Sequence, residues 1–131
     1  MTDGQSCSSL AEQRSAEARA ALDDLVGALD RCINELHDAR ERAAELRKQH
    51  DSGQDWAQIV TAETPPLIVE RISTAMKTLA ASGGRWRRAE ALALYAEGLS
   101  INRIAALFRV TRQRVSALIG GQTGRADDED G

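Results

Sequence analysis

The sequence predicts an all-α protein with a long N-terminal helix of coiled-coil type, short connecting helices and a C-terminal domain of three helices. Three observations support this. Helix-forming Ala and Leu are abundant, while the 131 residues include only two prolines. Apolar residues repeat every seven positions in the first half of the chain. Residues 87–120 contain two further places where one helix can end and another can begin.

The N-terminal part predicts a disordered segment, residues 1–8, followed by one long helix, residues 9–52. Ser9 and Glu12 have the spacing of a capping box, in which each side chain satisfies a free amide of the first turn. The segment that follows has no proline and a single glycine. About 40 helical residues would form a rod of roughly 60 Å. We expect Gly53 to terminate it.

The long helix carries an apolar stripe that another surface must cover. Folding back onto the following helices would cover part of the stripe, and pairing with a second copy would cover all of it. We expect a homodimer because the stripe is longer than the following helices can cover; a different protein partner is the alternative. The expected dimerisation residues are Leu22, Leu25, Leu29, Cys32, Ile33, Leu36 and Leu46.

Residues 55–82 predict two connecting helices. The first would bury Trp56, Ile59 and Val60, with Trp56 either anchoring the end of the rod, which we favour, or stacking on a ligand. After two prolines, a second amphipathic helix would end at the glycine pair 83–84. We expect that pair to form a hinge.

Residues 85–121 predict the three-helix domain. Gly98 suits the C-terminus of a first helix, and the Ser100 side chain can cap the second. Thr111 can cap a third helix that extends to residue 120 and buries Val115. The exposed positions of this third helix are Arg112, Gln113, Arg114, Ser116 and Ala117.

The exposed residues of the third helix are types that read DNA base edges. Arg and Gln form paired hydrogen bonds with guanine and adenine, and small Ser and Ala allow close approach to thymine methyls. Arg112 and Arg114 also occupy a first helical turn, whose positive dipole end favours an incoming phosphate. A plain helical domain with surface arginines is the alternative. The expected base-reading residues are therefore Arg112, Gln113, Arg114, Ser116 and Ala117, and the expected phosphate contacts are Arg87, Arg88, Ser100, Asn102, Arg103 and Thr111.

The same segment resembles the helix-turn-helix DNA-binding family, in particular its resolvase and invertase type and the promoter-reading helices of sigma factors. The apolar positions that carry the resemblance are Ile104, Ala105, Phe108, Val110, Val115 and Leu118. The resemblance implies a recognition helix in the major groove. It also allows residues 85–88 to form a short basic arm for the minor groove. We favour the alternative, in which Trp86 packs under the helices and the arginines contact phosphates. Arg109 stands where the family commonly has glycine, which predicts a more open turn.

The charge distribution agrees with a DNA-binding C-terminal part. The net charge is −3, yet residues 85–125 carry eight arginines against two glutamates. Four acidic residues lie at 127–130, within a tail, residues 122–131, that we expect to be disordered. Positive charge is thus concentrated on one module.

Several functional classes are not expected from the sequence. It shows no catalytic constellation and no glycine-rich phosphate loop, and Cys7 and Cys32 are too few for a metal site. We therefore expect no enzyme, no cofactor and no metal. No apolar run reaches membrane-spanning length and no signal-peptide core is present, so we expect a cytoplasmic protein without membrane contact.

The expected function is that of a sequence-specific protein that binds double-stranded DNA, a homodimeric transcriptional regulator acting at the nucleoid. Two alternatives stay open. One is an adaptor that docks onto RNA polymerase or a phage packaging complex through its long helix. The other is a nucleoid-associated protein that binds DNA without sequence preference.

Overall fold

The structure is a computed structural model that describes the backbone of residues 2–120 and the side chains of residues 9–120. Over that range the chain is all-α, as the composition predicts, and no strand occurs among the described residues. The predicted tail at residues 122–131 lies outside them. The five helices are α1 (Thr2–Asp51), α2 (Trp56–Ala62), α3 (Ile68–Ala96), α4 (Ile101–Phe108) and α5 (Arg112–Ile119).

Helix α1 is longer than the sequence predicts. It begins at Thr2, so the expectation of a disordered segment at residues 1–8 with a helix start at residue 9 is wrong for residues 2–8. Those residues include no proline, and adding a turn to an existing helix costs far less than nucleating one. The other end is as predicted, because Gly53 follows Asp51 closely and has a φ of 106°.

The chain divides into two compact units, of which one is Leu25–Ser82 and the other combines the residues before it with those after it. In the Leu25–Ser82 unit, α1 and α3 run antiparallel and pack through small side chains. Ala28, Cys32 and Ala39 of α1 are buried, as is Ala75 of α3. Small residues at a helix contact let the two backbones approach closely, so the side chains fill little space between them.

Ion pairs fix the register of this antiparallel packing. The Arg71 guanidinium on α3 lies 3.3 Å from a carboxylate oxygen of Glu35 and 3.9 Å from one of Asp38 on α1. Just before the N-terminus of α3, Glu63 lies 3.9 Å from Arg42 of α1; its side chain is nearly buried and also accepts a hydrogen bond from the Ile68 amide. The level of each α1 residue relative to α3 is therefore well defined.

The internal packing changes the expected set of dimerisation residues. Cys32 is buried as a free thiol within the unit, so it cannot face a second copy. Leu25 and Leu46 are partly covered by the same chain. The sequence placed these three residues in one repeat with Leu22, but in the structure they pack against their own chain. The remaining predicted residues stay exposed: Leu22, Leu29, Ile33 and Leu36.

Helix α2 begins with a capping box that the sequence analysis missed. Asp55 accepts a hydrogen bond from the Gln58 amide at 2.8 Å, and the Gln58 side chain accepts one from the Asp55 amide at 3.0 Å. Aspartate and glutamine three residues apart are the sequence signal for this arrangement.

Only one of the three residues expected to be buried by the short helix α2 is buried. Ile59 is 2 % exposed, whereas Trp56 and Val60 are 57 % and 55 % exposed, so their predicted burial is wrong. Two turns of helix can turn only one narrow face inward, and Ile59 occupies that face. Trp56 instead stacks on His50 near the end of α1, with ring centroids 4.0 Å apart. This stacking favours the anchoring interpretation of Trp56.

Helix α3 continues through the glycine pair that the sequence analysis interpreted as a hinge. Residues 83–84 lie inside Ile68–Ala96, so the predicted hinge is wrong. Residues 85–88 are also helical, which rules out the alternative of a separate basic arm. A glycine inside a helix costs about 1 kcal/mol relative to alanine. Ending one helix and starting another would leave as many as eight backbone groups to satisfy, which is the larger cost. None of the described helices is long and apolar enough to cross a membrane.

Because residues 83–84 are helical, replacing either glycine with alanine should stabilise the protein. We expect Gly83→Ala and Gly84→Ala each to raise the free energy of unfolding by about 0.5–1 kcal/mol, since an added Cβ meets no heavy atom within 4 Å at either position. Urea unfolding followed by circular dichroism measures this. The control is Gly98→Ala at a φ of 103°, which should destabilise. If both alanine variants are less stable than the wild type, the helical assignment of residues 83–84 is contradicted and the hinge interpretation is favoured.

Candidate nucleic-acid interface

The C-terminal helices pack around a small core that fixes how the last helix is presented. Ile104 and Ala105 of α4 and Val115 of α5 are buried together. Five partly buried apolar residues surround them, namely Leu94, Leu99, Ile101, Phe108 and Ile119. The small Ala105 side chain lies where α4 and α5 meet, which permits their close crossing. The residues that carried the helix-turn-helix resemblance are thus largely the residues of this core.

The connection from α3 to α4 has the geometry that the sequence predicts. Gly98 has a φ of 103°, and the amides of Gly98 and Leu99 donate to the carbonyls of Tyr95 and Leu94 at 3.0 and 3.1 Å. Glycine adopts this conformation without steric cost. The Ser100 hydroxyl then accepts a hydrogen bond from the Arg103 amide at 3.1 Å and caps α4.

The connection from α4 to α5 is closed, so the expectation of a more open turn at Arg109 is wrong. Arg109 has φ 59° and ψ 44°, the left-handed conformation. Its amide and that of Val110 donate to the carbonyls of Ala106 and Ala105 at 3.3 and 3.1 Å. These hydrogen bonds satisfy free carbonyls at the end of α4 and hold a non-glycine residue in a conformation that it otherwise avoids.

Helix α5 is presented with its polar side outward. The Thr111 hydroxyl caps the helix by accepting a hydrogen bond from the Arg114 amide at 3.1 Å. All five predicted base-reading residues are exposed. At about 100° per residue, Gln113 and Ala117 lie opposite the buried Val115. Ser116 lies between Gln113 and Arg112, and Arg112 and Arg114 form the two edges. The five side chains therefore form one continuous surface on α5.

The predicted phosphate-binding residues are exposed and lie on three elements. Ser100 and Thr111 occupy the N-caps of α4 and α5, and Asn102 and Arg103 lie in the first turn of α4. Each capping hydroxyl accepts a hydrogen bond from a backbone amide. Its own O–H stays available to donate a hydrogen bond to a phosphate oxygen. Helix N-termini also favour anions, because free backbone amides and the positive end of the helix dipole point toward the ligand.

The other two predicted phosphate contacts, Arg87 and Arg88, belong to α3. The Arg87 guanidinium lies over the Phe108 ring, 4.3 Å from its centroid. This cation–π contact joins α3 to the last residue of α4. If Arg87 binds a phosphate, it must do so while it keeps its contact with the Phe108 ring.

Sequence reasoning missed one candidate site residue, Arg109. It was considered only as a departure from glycine, yet its side chain is exposed in the turn that leads into α5. The signal was available, because residues 98–120 contain four arginines and no acidic residue. A surface with one sign of charge attracts a polyanion over several ångströms.

Two acidic residues, Glu90 of α3 and Glu97 after it, precede this surface in the sequence. Glu90 is the one with an altered pKa: burial raises the pKa of its carboxyl above the ordinary value of 4.5, and the Arg87 charge lowers it in part. Arg87 is thus adjacent to both an aromatic ring and a carboxyl group that resists ionisation.

The conformation of Arg109 predicts that Arg109→Gly stabilises the C-terminal domain. Relief of the left-handed strain should raise the free energy of unfolding by up to about 1 kcal/mol. The gain is reduced by the conformational entropy that glycine adds to the unfolded chain. Thermal unfolding would measure this. Arg109→Ala is the control, since it removes the charge and keeps the strain, and should change stability little. If Arg109→Gly destabilises, the turn is not strained as described.

The raised pKa of Glu90 predicts a pH dependence of stability. The folded carboxyl binds a proton more readily than the unfolded one, so stability should rise as the pH falls through the window just above 4.5. Glu90→Gln should reduce that slope and should not weaken the protein at neutral pH. Urea unfolding from pH 7 to pH 4.5 is the measurement, with the exposed Glu97→Gln as control. An unchanged slope would contradict the assignment.

No group of three or more potential metal-ligating side chains occurs in the described part of the chain. Comparison with known proteins then gives one family match: a family model described as a homeodomain-like domain covers residues 84–127. No curated protein and no solved structure matches the chain. The matched segment includes α4, α5 and the preceding part of α3. The match therefore supports a helix-turn-helix DNA-binding domain in the C-terminal part of this all-α chain.

Proposed function

We propose that the protein is a sequence-specific DNA-binding protein that acts as a homodimeric transcriptional regulator and inserts α5 into the major groove. The observation that carries this proposal is the exposed surface of α5, on which Gln113, Ser116 and Ala117 lie between Arg112 and Arg114. Bidentate donors beside small side chains are the combination that distinguishes base pairs in the major groove. The family match at residues 84–127 supports DNA as the partner.

The remaining contacts would position α5 on the duplex. Ser100, Asn102, Arg103 and Thr111 lie at the N-termini of α4 and α5, where backbone amides and hydroxyls can hold phosphates. In the proposal the protein acts by binding and has no catalytic role. Such a protein would work at the chromosome, in the cytoplasm. The resemblance to resolvases and sigma factors supports the recognition helix but not a minor-groove arm, because residues 85–88 are helical.

The first experiment is selection of sequences by the purified full chain from a random duplex library over a series of salt concentrations. An enriched inverted repeat is the expected result, and its half-site spacing reports the dimer. Steep salt dependence without a motif would replace the proposal with non-specific nucleoid binding. Absence of DNA binding would favour the adaptor alternative, in which the exposed apolar residues of α1 contact a larger machine.

Replacing Arg112 with alanine should weaken binding to the selected sequence and relax its preference at one base pair. The expected cost is about 1–3 kcal/mol on the selected sequence, with little change on random DNA. Fluorescence anisotropy with both duplexes would measure it.

The matched control is Arg103→Ala, which removes the same charge from the first turn of α4. It should lower affinity for both duplexes about equally and reduce the slope of log K against log salt by about 1. If Arg112→Ala behaves like Arg103→Ala, then Arg112 contacts only the backbone.

A further inference from the structure

Helix α1 exposes an apolar stripe that its internal packing leaves uncovered. Within the Leu25–Ser82 unit the stripe consists of Val26, Leu29, Ile33 and Leu36, spaced three, four and three residues apart. Their exposed fractions range from 39 % at Leu36 to 61 % at Ile33. This spacing keeps the four side chains on one side of the helix over three turns. Small residues fill the internal side of α1, whereas the large apolar residues face outward.

Helix α3 exposes a second apolar stripe. Val69 and Met76 are 69 % and 51 % exposed, and seven residues apart they lie on one side of the helix. Ser73 and Ala80, which share that side, are small and uncharged. Arg71 contacts Glu35 and Asp38, which sets the level of α3 relative to α1. Since the two helices are antiparallel, later residues of α3 lie level with earlier residues of α1, and the two stripes lie at the same height.

Both stripes lie on the same side of the helix pair. In α1 the stripe is turned by about 100° from the buried side formed by Ala28, Cys32 and Ala39, at 100° per residue. In α3 the stripe is turned by a similar angle, in the same rotational sense, from buried Ala75. Because the helices run in opposite directions, the same sense of rotation brings the two stripes to one side.

The opposite side of the pair is different in character. It contains an open groove of about 700 Å³, which is lined by small apolar residues such as Ala75 and also by charged and hydroxyl side chains, among them Arg31, Glu35, Arg71 and Thr74. The apolar side has none of these groups between its stripes. A monomer rarely exposes a contiguous apolar surface two helices wide, and such a surface commonly marks an interaction site.

We propose that this apolar face packs on the same face of a second copy, with α1 of each copy antiparallel to α3 of the other in a four-helix bundle. The inference rests on the dimer of the proposed function and specifies its interface. A two-fold axis parallel to the helices produces this arrangement and pairs each stripe with the other kind.

Charge at the edges of the face identifies the second copy as the occupant. Asp30 borders the α1 stripe and Lys77 borders the α3 stripe, each on the edge away from the other helix. Both are exposed, and neither forms an ion pair with any described residue. Six residues beyond Arg71, Lys77 lies about level with Asp30. In the proposed bundle each Asp30 therefore faces Lys77 of the other copy, which gives two complementary pairs.

The test is a charge exchange followed by analytical ultracentrifugation of the full chain over a concentration series. Asp30→Lys makes both edge positions positive, and Lys77→Asp makes both negative. Each variant alone should dissociate at least tenfold more readily than the wild type. An equimolar mixture of the two variants should form a heterodimer with nearly wild-type affinity, as should the double variant with itself. Circular dichroism checks that these exposed substitutions leave the fold intact.

A second variant tests the apolar face itself. Ile33→Asp changes the most exposed residue of the α1 stripe and should give a monomer. A wild-type chain that is monomeric at all concentrations would overturn the inference, and so would a dimer that tolerates both the charge changes and Ile33→Asp. Failure of the proposed function is separable, because a monomeric Ile33→Asp chain should still bind a single half-site weakly. A wild-type dimer that binds no DNA would leave this interface standing and remove the DNA-binding role.

Discussion

The structure depends first on the close antiparallel packing of α1 against α3 in the Leu25–Ser82 unit. That packing is made by small side chains, with Ala28, Cys32 and Ala39 meeting the side of α3 that contains Ala75. Because small residues form the internal contact, the large apolar residues of α1 are not needed there. They remain on a neighbouring side of the helix, where their exposure is costly unless another surface covers them.

The same constraint explains why the charges in this unit are distributed as they are. Arg71 reaches two carboxylates of α1, and Arg42 reaches the nearly buried Glu63. Partly exposed pairs of this kind contribute little stability individually. Their main consequence is register, since they hold each turn of α1 at a defined level beside α3. Because the register is defined, Lys77 of α3 can be placed at about the same level along the helix pair as Asp30 of α1.

In the helix-turn-helix domain the backbone turns are the controlling feature. Two hydroxyl caps, at Ser100 and Thr111, start α4 and α5 with the same hydrogen-bonding geometry. The left-handed Arg109 between them sets the angle at which α5 leaves the core. With Val115 buried beneath it, α5 has only one way to present its polar side. The position of the candidate base-reading residues thus follows from turns and packing, rather than from interactions among those residues themselves.

The sequence by itself determined the all-α class, the caps at Ser100 and Thr111, and the exposed polar side of α5. These features depend on local spacing and hydrogen bonding, which neighbouring residues largely decide. Only the tertiary structure decided the continuity of α3 through residues 83–84, the closed turn at Arg109 and the exposure of Trp56. It also decided which apolar side of α1 is internal, because periodicity places Leu22 and Cys32 in one stripe and cannot tell which edge meets α3. For α3 and for Arg109, the satisfaction of backbone hydrogen bonds outweighs a modest local preference. For the internal side of α1, contacts with the distant residues of α3 decide the outcome.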